Sequence, residues 1–139
     1  MTCNNNSHLV LEVNQGCPRG YSFTINQQHT AIDPDTGDEI VVIEPLDLTG
    51  LTVEFRVKEA PYYKLKSLIS KDITTTEDLT KGWISEPTLG QFQVQLTLED
   101  TLKLPPKDYA LCIYLKDKDT FTNISGDGNR FAIFRVCTQ

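Results

Sequence analysis

Positive charge is what this sequence has least to spare. Thirteen lysines and arginines stand against nineteen aspartates and glutamates, a formal net charge of −6. The cations are interspersed with acids, as in Lys116-Asp117-Lys118-Asp119. A phosphate-binding face needs clustered Lys and Arg, so no nucleic acid is expected among the partners. Long apolar runs are missing too: nothing approaches the roughly 18–20 residues that span a bilayer. The N-terminus carries no basic, apolar, small-residue leader. No membrane partner is expected, and synthesis in a cytoplasm is.

The residues that carry chemistry are as sparse. There are two histidines, His8 beside a polar arm and His29 in a glutamine-rich stretch read as a loop, and Gly-x-Ser-x-Gly is absent. General acid–base work needs groups converging on one pocket, so no catalytic residue is expected and the chain is read as a non-enzyme. Cys3, Cys17, Cys112 and Cys137 are far apart with no Cys-x-x-Cys spacing. Zinc sites usually use close ligand pairs, so the thiols are expected to be free and mostly buried. A Cys3–Cys137 bridge joining the chain ends is the one pairing that stays open. Asp33-x-Asp35-x-Gly37-Asp38-Glu39 gathers carboxylates as a calcium loop does, but it lacks the third oxygen ligand before its glycine and the terminal glutamate of the EF-hand. Aspartates favour turns by bonding their own backbone, so this is read as an acidic turn, with no metal and no cofactor.

What the sequence does have is alternation. Leu51, Val53, Phe55 and Val57 alternate with Thr52, Glu54, Arg56 and Lys58, the side-chain period of a strand with one buried and one wet face. Phe92, Val94, Leu96 and Leu98 alternate with Gln91, Gln93, Gln95 and Thr97 in the same way. Residues 9–13 and 21–25 read as strands, and Ile40–Ile43 as a small strand returning along the second. Leu65–Thr75 supplies another, with Leu68 and either Ile69 or Ile73 inward. The stretch 76–89 gives no clear pattern. Leu98–Leu104 reads as a helical turn stopped by Pro105-Pro106. Residues 108–115 are apolar at nearly all positions, which places that strand centrally. Lys116–Gly128 reads as a loop or a pair of tight turns, and Arg130–Val136 closes the fold.

Short strands with turn chemistry between them and almost no helical periodicity predict an all-β fold. The expected form is an immunoglobulin-like antiparallel β-sandwich of seven to nine strands, with residues 1–8 a flexible N-terminal arm and 9–139 a single domain. Leu104-Pro105-Pro106-Lys107-Asp108-Tyr109 puts a tyrosine at the start of the central strand, as in the tyrosine corner of such sandwiches. A simple core role for Tyr109 stays open.

Several further features bear on a family. Tyr21-Ser-Phe-Thr-Ile25 and the turn-rich 33–39 lead into Leu46-Asp-Leu-Thr-Gly50 and the alternating Thr52–Lys58. Gly90-x-Phe92-x-Val94-x-Leu96-Thr-Leu98 follows, with Leu102, Pro105 and Tyr109 after it. This pattern, from Tyr21 to Val136, resembles the immunoglobulin-like domains of tailed-phage virion proteins, such as the N-terminal domain of baseplate upper proteins and related head and tail modules. Two features depart from it: Pro105-Pro106-Lys107-Asp108 stands where a glycine commonly precedes the tyrosine, and 76–89 is longer than a minimal sandwich needs. The resemblance implies a structural virion protein without catalysis, located in the virion. It would decorate or connect other virion proteins (capsid, neck, tail or baseplate subunits), with self-association into a homo-oligomer left open. The lack of a long C-terminal extension tips this toward the head or connector.

The candidate interface residues are Asn4, Asn5 and Asn6 in the arm, Tyr62 and Tyr63 in a loop, with cover for the sandwich end as their equal alternative, and Trp83, for which a lid on the core is the favoured role. A carbohydrate-binding or adhesive β-sandwich module is the alternative. There Tyr62, Tyr63 and Trp83 would stack on sugars beside Gln91, Gln93 and Gln95.

Overall fold

Alternating apolar residues can leave water only if two sheets, or a sheet and a helix, face each other. The computed structural model describes residues 9–62, 64–124 and 132–138. In chain order its strands are β1 (Val10–Asn14), β2 (Arg19–Thr24), β3 (Asn26–Ile32), β4 (Glu39–Pro45), β5 (Thr52–Lys58), β6 (Ile69–Ile73), β7 (Gly82–Glu86), β8 (Gln91–Leu96), β9 (Asp108–Asp117), β10 (Thr120–Asn123) and β11 (Ala132–Cys137). One short helix, α1 (Leu98–Leu102), joins β8 to β9. The fold is all-β.

The strands form three sheets. The largest runs β1-β11-β9-β5-β6, with β10 pairing the far half of β9. The second is β2-β8-β7, and the third is the β3–β4 hairpin alone. Inward side chains of the two larger sheets enter one core: Val53, Phe55, Leu111 and Phe134 from the first, Ile84, Phe92 and Val94 from the second. Phe55 meets Phe134 edge-on at 6.5 Å between ring centroids, and Phe23 stacks on Phe92 at 4.9 Å. Each fully buried side chain of this size contributes about 2–3 kcal/mol relative to exposure, and this shared core is what holds the two sheets together.

Among the described residues, eleven strands replace the expected seven to nine, for three local reasons. The glutamine-rich stretch forms β3, which pairs with β4 over seven residue pairs, so the Ile40–Ile43 strand returns along β3 and not along the second strand. The unpatterned 76–89 stretch contains β7 and a single 3-10 turn, Pro87–Leu89. Lys118, at a positive φ of 56°, closes a tight turn, one of the two readings of this segment, and folds the unexpected β10 back on β9. The sheet is also not wholly antiparallel, since β1 pairs β11 in parallel.

The Leu98–Leu102 helix forms as expected. Thr97 caps it with Asp100 in a reciprocal capping box: Asp100 N–H donates to Thr97 Oγ1, and Thr97 N–H to Asp100 Oδ2. Tyr109 is the second residue of β9, and its hydroxyl donates to the Pro105 carbonyl at 2.6 Å, the crossover bond expected of a tyrosine corner. Lys58 breaks the alternation of β5. Read as outward, it is only 3% exposed, and its Nζ donates to the Tyr62 carbonyl at 3.2 Å under the following loop.

Candidate interaction surface

The β3–β4 hairpin carries the most unusual surface among the described residues. Its strands pair only with each other. Every strand residue is exposed except the half-buried Ala31 and Val42. Directly opposed residues share a face, so Ile32, Val41 and Ile43 lie together on one side, with Thr30 and Gln28 between them. These three are 62%, 59% and 65% exposed. The other side carries Ala31, Ile40 and Val42, with Ile40 43% exposed. β-branched residues give the strands their propensity, but an isolated two-stranded hairpin is marginal in water and offers two open edges. A hairpin built this way gains most by docking.

Its base is fixed to the body. Ile25 N–H donates to the Gly90 carbonyl at 2.8 Å and Leu46 N–H to the Ile25 carbonyl at 2.9 Å. Its tip is self-satisfied: Asp33 Oδ1 accepts from Asp35 N–H at 2.8 Å, and the Asp33 carbonyl accepts from Gly37, whose φ of +78° closes the turn. The acidic cluster at 33–39 therefore acts as turn chemistry. Between residues 26 and 45 the acids are Asp33, Asp35, Asp38, Glu39 and Glu44, with no lysine or arginine. His29 lies within β3, beside Glu44 at 3.5 Å.

A second surface lies at the other end of β5. The hairpin feeds into the start of β5 through 46–51, whereas the loop 59–66 leaves its end. In that loop Tyr62 is 69% and Leu65 38% exposed, flanked by exposed Lys64 and Lys66. Its one acid, Glu59, is bridged to Lys107 at 2.6 Å, so the loop presents net positive charge with apolar side chains. The hydrogen bond that Lys107 donates to the Glu59 carboxylate also holds its ammonium above the ordinary pKa.

Trp83 sits in β7 opposite Gln93, which faces Ser22 of β2. It is half-buried on the outer face of the second sheet, and its neighbour Ile84 is the core residue. Ser22, Thr24, Ser85, Gln91 and Gln93 line a shallow cleft of about 280 Å³ on that face. The structure thus brings Trp83 to the glutamine row, while Tyr62 leaves β5 in the first sheet. Asn4, Asn5, Asn6 and Tyr63 lie outside the described residues, as does Cys3. Cys17, Cys112 and Cys137 are free thiols, and only Cys112 is buried.

The hairpin escapes a reading of the sequence because Gln, His and Thr give no clean period. The usable signal is the pairing of Ala31-Ile32 with Ile40–Ile43 across a dense turn. No protein-family model matches the chain, and no curated protein matches it.

Proposed function

We propose that this chain is a non-catalytic structural subunit of a bacteriophage virion, an immunoglobulin-like sandwich that docks on other virion proteins through its β3–β4 hairpin. The hairpin carries the reading: its exposed Ile32, Val41 and Ile43 belong on a surface meant to be covered. The virion setting rests on the likeness of 21–136 to phage head and tail modules. Such a subunit acts by shape and burial. Two edges and an apolar face can add strands to, or pack on, a neighbour, and the shared core behind β2 and β8 keeps the base of the hairpin in a fixed direction.

Val41→Asp combined with Ile43→Asp tests this. Both sites are more than half exposed, so the variant is expected to keep its melting temperature, since exposed substitutions usually shift stability by less than about 0.5 kcal/mol. Incorporation into particles, read by the protein composition of purified virions, is expected to fall at least about tenfold through buried, unpaired charge. Normal incorporation of a folded variant would overturn the reading.

A further inference from the structure

We infer that the hairpin of one copy docks on the 59–66 loop of a second copy, giving a head-to-tail contact between identical subunits. This rests on the hairpin-docking reading above and names its partner. Two observations carry it. The first is charge complementarity: the hairpin carries five acids, Asp33, Asp35, Asp38, Glu39 and Glu44, and no lysine or arginine. The loop offers exposed Lys64 and Lys66 around Tyr62 and Leu65, with Glu59 already held by Lys107. Each surface pairs apolar or aromatic area with charge of one sign, and the signs are opposite. Apolar contact supplies the binding, and the charges set register and speed encounter.

The second observation is placement. The two surfaces sit at opposite ends of β5, whose seven residues span about 20 Å. The base of the hairpin is thus held away from the loop of its own chain, which leaves the loop of another copy as the proposed partner. Because the patches differ, the contact is heterologous and leaves one hairpin and one loop free on every pair. Such contacts close into a ring or continue as a helical stack, both of which suit a repeated position on a particle.

Mixing two variants of the full chain tests this. Val41→Asp with Ile43→Asp blocks the hairpin and leaves the loop; Lys64→Glu with Lys66→Glu reverses the loop and leaves the hairpin. Light scattering is expected to show the unmodified protein growing in mass with concentration and shrinking as salt rises. Each variant alone is expected to be monomeric, with association weakened at least about tenfold. The mixture is expected to stop at a one-to-one pair, the signature of two different patches. If the hairpin variant does not fold, Asp38→Lys with Glu39→Lys replaces it. This variant leaves three acids beside two lysines in the hairpin, so in a mixture with the reversed-loop variant only the unaltered hairpin meets an unaltered loop; a one-to-one pair is expected, and failure to pair would overturn the proposal. Self-association of the reversed-loop variant at full strength would overturn it as well, because the hairpins would then be pairing with each other. So would unmodified protein that stays monomeric at every concentration. If that monomer still needs Val41 and Ile43 to enter particles, hairpin docking stands and only the second-copy partner fails.

Discussion

Gly82→Ala is expected to remove most of the stability of this protein. Gly82 opens β7 at a φ of +111°, a conformation that side-chain-bearing residues rarely adopt. A Cβ there would fall on the Gln93 carbonyl and lie 2.8 Å from Val94 Cα, both backbone of the central strand β8. No rotamer change relieves a backbone clash, so the strand pair must separate or shift. The strain and lost packing together should cost about 4 kcal/mol or more, against a total stability of about 5–15 kcal/mol for a typical domain. Urea unfolding is the measurement, with a large fall in midpoint. Gly37→Ala is the internal control: its φ is +78°, but a Cβ there meets nothing within 4 Å. Only the backbone strain remains, about 1 kcal/mol. Equal losses at the two sites would mean that the approach of β7 to β8 is not as described.

Lys71→Ala is expected to produce the next largest effect. Lys71 lies between Ile69 and Ile73 on the inward row of β6 and is 7% exposed. Its ammonium meets Asp100 of α1 at 2.6 Å and donates to the Thr80 carbonyl at 2.6 Å. Removing one partner of a mostly buried pair strands the other charge, at a cost of about 3 kcal/mol. Burial alone pushes the Asp100 carboxyl up, yet hydrogen bonds from Lys71 and Thr97, with the Lys71 charge, hold it below its ordinary value of 3.8. A lowered folded-state pKa contributes stability that is present above the unfolded value and is lost as pH falls through the folded one. In the alanine variant burial persists without Lys71, so the carboxyl titrates higher. The gap between the two proteins should therefore be full near neutrality and shrink as pH drops through the carboxylate range. Denaturant unfolding across that range checks the sign; a gap that widens in acid would contradict the pairing.

Much of this fold was legible because period-two burial is a local signal. Val53, Phe55 and Val57 in β5, and Phe92, Val94 and Leu96 in β8, alternate as read, and all are buried. The Thr97–Leu102 turn and the Tyr109 crossover were legible for the same reason, since their partners lie within four residues. Buried lysines were not. The environment of Lys58 is made by a loop folding over the end of β5, and that of Lys71 by a carboxylate twenty-nine residues on, neither of which alternation encodes. The parallel pairing of β1 with β11 joins opposite ends of the chain and leaves no local trace. The candidate interaction surface is half legible: the sequence places Tyr62 in a loop, while Ile32, Val41 and Ile43 are hidden because apolar residues in a strand imply a core that this hairpin does not supply.

Electron microscopy of the intact particle, with this subunit located, tests the central claim most directly. The predicted result is Ile32, Val41 and Ile43 of β3 and β4 packed against a neighbouring protein. A particle in which that hairpin stands in solvent while another face of the subunit makes the contact would contradict it.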